Sequence, residues 1–397
     1  MTQIKHYELG ELADVTKLAG FEFTKYIKYN NYGEIIALRA LNLRHGELDL
    51  TDIKRIDRSV SELLPRSKLY INDILLTYTG NGYGDCAIIE ENDKYHLAPN
   101  ICKIAPNVEK VVPYYLYSYI RTNEFYKIMS SHMTGSSQPT IPMKTIRMLP
   151  IPLPPIVVQE KIAEVAYCIN EKIRKNNAIN KNLEQQAQAI FANEFLSLET
   201  LPEGWKQASL IDIADYLNGL AMQKYRPTAD ESGIPVLKIK ELRQGCCDNN
   251  SELCSPSIKS DYIIHDGDVI FSWSGSLLVD FWCGGICGLN QHLFKVTSNK
   301  YDKWFYYAWT KHHLDRFIAV AADKATTMGH IKRDELSKAE VLVPNKADYK
   351  RIGALLQPIY DLIIANRIEN KKLAETRDTL LPKLMSGEID ISEVDYE

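Results

Sequence analysis

The second half of this chain restates the first at an offset near 190 residues, and a period of that size duplicates whole domains, not short repeat units. The copy is sharpest in two long stretches, Gln159 to Phe191 and Tyr349 to Leu381. Alternating steps of four and three through the first visit Ile162, Ala166, Ile169, Ile173, Asn176, Asn180, Leu183, Ala187 and Ile190. The same steps through the second visit Ile352, Leu356, Ile359, Ile363, Asn366, Asn370, Leu373, Arg377 and Leu380, each 190 positions after its counterpart. That spacing is a heptad seam, so two coiled-coil helices are predicted. A pair of Asn residues interrupts each seam midway. Asn at a core position costs stability but fixes register, because its amide must find another polar group. Either orientation aligns the Asn layers. Connectivity decides for the antiparallel one: a domain-sized segment of about 150 residues separates the helices, so the chain leaves along one, folds a globule at the far end and returns along the other.

The globules repeat more faintly. Leu9, Leu12, Ala13 and Asp14 match Leu210, Ile213, Ala214 and Asp215. Ala37 to Gly46 parallels Val236 to Gly245, a strand-like run ending in a basic turn. Asn72 to Gly80 (NDILLTYTG) parallels Gly267 to Gly275 (GDVIFSWSG), and Pro99 to Ile104 (PNICKI) parallels Gln291 to Val296 (QHLFKV). The closing runs Ile146 to Pro154 and Leu336 to Pro344 each deliver the chain through proline into its helix. The order is globule, helix, globule, helix.

At 397 residues the chain has room for two domains with cores of their own. No apolar run reaches the roughly 18 residues of a membrane span, and the opening Thr2-Gln3-Ile4-Lys5-His6 is unlike a signal peptide, so a cytoplasmic protein with no membrane partner is expected. The eight cysteines are spread unevenly and are expected to be reduced thiols. A net charge of −4 argues against indiscriminate coating of nucleic acid, but a sequence reader needs only local Lys and Arg on phosphates.

Catalytic signatures are missing. Gly80-Asn81-Gly82-Tyr83-Gly84 lacks the spacing of a dinucleotide loop and reads as a tight turn, and no Walker-type phosphate loop exists. No Asn/Asp-Pro-Pro-aromatic motif of an amine methyltransferase occurs, and no nucleophile elbow. Cys246, Cys247, Cys254, Cys283, Cys287 and His292 crowd the second globule without paired zinc-knuckle spacing, so no metal is expected. His312-His313, beside an aromatic run, reads as structural. The chain is expected to be non-catalytic.

Three segments carry a resemblance: TGSSQPTIPMKTIRMLPIPLPPIVVQEKIA (Thr134 to Ala163), LPEGWKQASLIDIADY (Leu201 to Tyr216) and LLPKLMSGEIDI (Leu380 to Ile391). In this order, on a duplicated frame, they resemble the specificity subunit of type I restriction-modification systems, over essentially the whole chain. The second globule's exit, ATTMGHIKRDEL (Ala325 to Leu336), departs from the pattern by lacking the Ser-Gln-Pro of the first copy. The resemblance implies an α+β chain of two similar target recognition domains, mixed α/β globules separated by two long antiparallel coiled-coil helices in a pseudo-twofold repeat. The segments would be 1–154 (first recognition domain), 155–198 (central helix), 199–344 (second recognition domain) and 345–397 (distal helix and tail). Each domain would read one half of a split double-stranded DNA target. The helices would space the readers and dock two modification subunits that methylate adenine, with restriction and translocase subunits joining in the full complex. S-adenosylmethionine, ATP and Mg belong to those partners, and this chain is expected to hold no cofactor.

Candidate DNA contacts are polar and aromatic groups at strand ends and basic turns. In the first domain they are Lys25, Lys28, Tyr29, Arg44, Tyr78, Asn81, Tyr83, Ser137 and Gln138; in the second, Lys224, Tyr225, Arg226, Arg243, Ser272, Trp273, Ser274, Thr327 and His330. Asn176, Asn180, Asn366 and Asn370 are the candidate register residues. Two rival readings are a coiled-coil scaffold whose globules bind protein, and an enzyme built on the cysteine-rich second globule.

Overall fold

A computed structural model describes residues 4–44, 46–80, 82–135, 138–248, 250–323, 331 and 333–392. The chain divides into two compact units, Met1–Glu171 with Ala374–Glu397, and Lys172–Leu373.

In the first unit, Lys5–Glu8 pairs antiparallel with Pro150–Leu153. A four-stranded antiparallel sheet follows in the order Ala13–Lys17, Ile101–Pro106, Ile74–Thr77, Cys86–Ile88. A smaller sheet sets Ile35–Leu38 between antiparallel Lys54–Ile56 and parallel Tyr95–Leu97. The strands Ile35–Leu38 and Ile74–Thr77 are buried along their whole length, which is why both read as unbroken apolar runs and not as alternating ones. The helix Pro113–Ile120 starts on a proline, whose missing N–H costs nothing there, and the next helix, Asn123–Ser131, is capped by the Thr122 hydroxyl accepting from the Phe125 N–H at 3.2 Å. Both supply rings to the core: Tyr115, Tyr119 and Phe125 are almost wholly buried.

The second unit repeats the plan of the paired terminal strands and the larger sheet. Lys206–Ser209 pairs with Glu340–Val343, and the larger sheet runs Asp215–Asn218, Leu293–Thr297, Val269–Ser272, Leu278–Phe281. In the smaller sheet Ile234–Leu237 again lies parallel to its neighbour, Cys287–Leu289. Register is preserved as well as order. Glu8 faces Pro150 as Ser209 faces Glu340, and Leu38 faces Leu97 as Leu237 faces Leu289. A slip of one residue would turn each strand's core face to solvent, so shared register means shared core positions.

One polar device recurs in both units. Asn72 (φ 72°) and Gly267 (φ 84°) adopt the left-handed conformation directly before an aspartate. Asp73 then accepts from the Tyr70 N–H at 2.8 Å and Asp268 from the His265 N–H at 2.9 Å. From the neighbouring strand, Lys103 donates to the Lys68 carbonyl at 3.0 Å and Lys295 to the Ile263 carbonyl at 3.1 Å. Lys295 also pairs with Asp268 at 2.9 Å. Burial pushes the Asp73 carboxyl above its ordinary value, while the Tyr70 N–H and the nearby Lys103 ammonium pull it back.

The long helices are Ile156–Phe191 and Lys346–Met385. Within the first unit, Ile162 packs in one core with Leu381, Leu384 and Met385, and Asn170 accepts from Arg377 at 2.9 Å. Within the second, Ala187 and Phe191 share a core with Ile352 and Leu356. Numbers rise along one helix as they fall along the other, so the pairing is antiparallel in each unit. The four asparagines all lie in the second unit. Asn366 Nδ2 donates to Asn180 Oδ1 at 2.9 Å, and Asn176 Nδ2 donates to Asn370 Oδ1 at 2.8 Å and to Glu369 at 2.6 Å. Asn180→Leu alone strands the Asn366 amide and is expected to cost about 1–3 kcal/mol. Leucine at all four positions is expected to raise the melting temperature instead, while relaxing register. Thermal melts of both variants, with cross-links between cysteines placed along the seam, check the opposite signs.

No helix among the described residues is long and apolar enough to cross a membrane.

Candidate DNA-recognition faces

In the first unit the sheet ends of Ile74–Thr77 and Cys86–Ile88 are joined by a loop whose shape is fixed from outside. The Tyr78 carbonyl accepts from the Ile141 N–H at 3.1 Å, Gly80 N–H donates to the Pro139 carbonyl at 2.8 Å, and the Thr79 and Thr140 hydroxyls meet at 2.6 Å. These bonds bring the segment carrying Gln138, which is exposed, against the loop carrying Tyr78 and Tyr83. Lys17 lies over the Tyr78 ring at 5.4 Å, and Tyr83 stacks on Tyr126 with centroids 5.3 Å apart. Gly84 has φ 90°, and a Cβ there would meet the Tyr126 ring at 2.8 Å, so the third glycine of the Gly80 to Gly84 run serves turn and stacking together. Beside the loop is a cleft of about 360 Å³ lined by Ala40, Leu41, Leu43, Arg44, Gly82 and Asp85.

Arg44 is exposed at this cleft and pairs with Asp49 at 3.7 Å, a contact too exposed to hold the guanidinium strongly. Its turn is held instead by the helix Pro113–Ile120: Tyr117 donates to the Gly46 carbonyl, and Arg121 lies so close to Gly46 (φ 86°) that any Cβ would collide with it. Lys25, Lys28 and Tyr29 sit on a separate segment, the short helix Gly20–Tyr26 and the residues after it. There Lys25 lies over Tyr26 at 5.0 Å and Tyr29 packs on Phe23 at 6.1 Å. Burial raises the Tyr29 phenol, with Arg39 opposing, so it stays protonated and can donate.

The second unit holds its loop by the same bond, Ile331 N–H donating to the Trp273 carbonyl at 3.1 Å. Trp273 Nε1 donates to Asn218 at 3.0 Å, and its ring packs on Phe294 at 5.7 Å, which leaves a fixed, half-buried indole. The serines flanking it depart from the expectation of direct contact. Ser272 is wholly buried and its hydroxyl donates to the Ser276 carbonyl at 2.9 Å; Ser274 is buried and bonds His292 Nδ1 at 3.0 Å. Their side chains shape the turn from inside, because the strand Val269–Ser272 faces core on both sides. Lys224, Tyr225 and Arg226 are exposed in and after a short 3-10 turn, Met222–Lys224, with Arg226 paired to Glu252 at 3.5 Å. Arg243 is exposed at the end of the helix Ile239–Gln244, ahead of left-handed Gly245 (φ 73°), as Arg44 stands ahead of Gly46. Asn81, Ser137, Thr327 and His330 lie outside the described residues.

Lys17, Tyr126, Asn218 and His292 also belong to these faces and were not among the expected contacts. Asn218 carries a faint signal, the polar end of a strand that pairs with the loop's own sheet. Tyr126 carries none, since only the fold brings its helix to the loop. Of the histidine pair beside the aromatic run, His313 is packed: it bonds the Glu340 carbonyl at 2.7 Å and stacks near Trp309, while His312 is exposed. All eight cysteines are free, and among the described residues no three metal-ligating side chains converge.

Both units expose arginine and lysine side chains and hold aromatic rings in place, groups suited to phosphate and base-edge contact. Residues 1–188 and 202–375 match the family model described as type I restriction modification DNA specificity domain. The MjaIX type I restriction enzyme specificity subunit of Methanocaldococcus jannaschii is 26% identical over 309 residues, covering 72% of this chain and 71% of that one. The HindI type I specificity subunit of Haemophilus influenzae is 20% identical, covering 98% and 100%. A solved S subunit of a type I restriction-modification system from M. genitalium superposes with a TM-score of 0.56 at 12% identity, over 96% of each chain, a likeness of fold. With both halves matching the same specificity model, the chain belongs to the type I restriction-modification DNA specificity family.

Proposed function

We propose that this chain is the non-catalytic reader of a bipartite DNA target, each recognition domain binding one half-site. It would dock two adenine-methylating modification subunits and, through them, restriction and translocase subunits. The observation that carries the reading is the repetition of the backbone bond that fastens a loop in each unit. Equivalent backbone bonds, Ile141 to Tyr78 and Ile331 to Trp273, and in each unit an arginine two residues ahead of a left-handed glycine accompany different exposed side chains. Two scaffolds alike in backbone and unlike in exposed groups suit the reading of two different short sequences. The segments 1–154 and 199–344 are the proposed readers, and 155–198 and 345–397 the proposed spacer.

The test is duplex binding by the purified chain with and without a modification subunit. Affinity is expected to fall steeply with salt, in proportion to the phosphates neutralised. Methyl transfer to adenine is expected only when the modification subunit and S-adenosylmethionine are both present. Salt-insensitive binding, or methylation by the chain alone, would contradict the assignment.

A further inference from the structure

One position recurs in both units and carries different chemistry in each. The repeat that sets Leu12, Ala13 and Asp14 on Ile213, Ala214 and Asp215 also sets Lys17 on Asn218, the last residues of the strands Ala13–Lys17 and Asp215–Asn218. Strand register gives the same match independently. Lys17 faces Cys102, which on its other side faces Leu76; Asn218 faces Phe294, which faces Phe271. Leu76 and Phe271 each lie three residues past the aspartate that follows the left-handed residue, Asp73 and Asp268. Two residues further on, and so on the same side of the sheet, come the half-buried rings of Tyr78 and Trp273. In each unit an exposed polar side chain thus leans on the ring of the loop: Lys17 Nζ lies 5.4 Å from the centre of Tyr78, and Asn218 Oδ1 accepts from Trp273 Nε1 at 3.0 Å.

The two groups differ in what they leave open. An ammonium has only donors, and that of Lys17 forms no ion pair among the described residues. An indole N–H also only donates, so Trp273 fixes the Asn218 amide with its oxygen toward the ring. The amide NH2 is then turned away, with no partner among the described residues, and the oxygen keeps a second lone pair. We propose that Lys17 and Asn218 are matching base-reading residues, Lys17 selecting a guanine in one half-site and Asn218 an adenine in the other; this rests on the DNA-reading assignment above. In the major groove guanine shows two adjacent acceptors, O6 and N7, which suit a group with donors alone. Adenine shows the N7 acceptor beside the N6–H donor, which suits an amide with both. Thymine offers the ammonium a single acceptor, and cytosine offers it none. The ring beneath each group holds it in place before contact, so less freedom is lost on binding. A purely phosphate-binding lysine would have no reason to share its place in the sheet with an uncharged amide.

The test is selection from duplexes of randomised sequence by the full-length chain with its modification subunit, followed by sequencing of the bound fraction. The wild type should recover a bipartite target. Lys17→Met should recover the same target with one G·C pair of one half-site degenerate, discrimination there falling by about tenfold to a hundredfold. Lys17→Arg should restore that pair, since a guanidinium offers guanine the same two donors. Replacing the selected guanine by 7-deazaguanine should weaken the wild type and leave Lys17→Met unaffected. Asn218→Leu should free one A·T pair in the other half-site. Trp273→Phe, which keeps a ring but removes the indole N–H, should weaken preference at that same pair and add little to Asn218→Leu. Lys17 and Asn218 are exposed, so their variants should melt as the wild type does. A uniform loss of affinity in Lys17→Met, with the salt slope lower by about one, would make Lys17 a phosphate contact and overturn its role. Degeneracy at other bases, in both half-sites at once, or nowhere would overturn the base assignments while the bipartite target still stood. A wild type that recovers no sequence would remove the reading assignment itself, and the base roles with it.

Discussion

Exchanging Met1–Pro154 for the matching segment of another family member is expected to replace the bases read in one half-site and leave the other intact. All the strands of the first sheets, the Tyr78 loop and the Arg44 turn come from that segment, so the exchange moves one proposed reader whole. The structure adds a condition that the sequence repeat alone did not supply. The core of this unit also includes Val158, Ile162, Ala166, Leu381, Leu384, Met385 and Ile391, all outside the exchanged segment. An incoming domain must present apolar partners to these positions; one that does not leaves a cavity, at several kcal/mol for each large side chain. Mapping methylated adenines genome-wide in cells carrying the hybrid reads the outcome. A hybrid that is soluble yet changes both half-sites, or neither, would refute the one-domain, one-half-site assignment.

The second large effect is expected from the half-buried ion pair of Lys295 and Asp268. Lys295→Met leaves the Asp268 carboxylate, 23% exposed, without its cation and the Ile263 carbonyl without its donor. Breaking such a pair from one side costs about 3–5 kcal/mol when it is fully buried, and about 2–4 kcal/mol is expected here because the carboxylate keeps some water. Adding Asp268→Asn removes the stranded charge while retaining an acceptor for the His265 N–H, and should recover a good part of the loss. Urea titrations of the single and double variants decide it. Lys103→Met should act the same way on the first unit.

That pair shows how far the sequence could be read. Asp73, Asp268, Lys103 and Lys295 all lie inside peptides whose internal similarity is visible in the chain, and so do the left-handed Asn72 and Gly267. Heptad stepping likewise located the seam residues from Ile162 to Leu380, and connectivity gave the antiparallel sense of the helices. The candidate recognition faces were only partly legible. Exposure at a strand end depends on which way the last residue points, and Ser272, taken for a contact, points inward to staple its own turn. Tyr126 is 44% exposed on a helix whose sequence marks it only as amphipathic, and its value comes from lying against Tyr83, which is a tertiary fact. Local pattern encodes the scaffold because cores impose periods; a binding surface has no period to betray it.

The bonds that fasten the Tyr78 and Trp273 loops run through backbone groups, Ile141 to Tyr78 and Ile331 to Trp273, where the exposed side chains differ. Main-chain fastening is indifferent to side-chain identity. Substitutions at the exposed positions are therefore expected to leave folding nearly untouched, within about 0.5 kcal/mol each, and a lineage of such chains could wander through many target sequences without crossing an unstable intermediate. New addresses would be cheap to evolve, and the hazard of change would fall on the host's own unprotected chromosome and not on the fold.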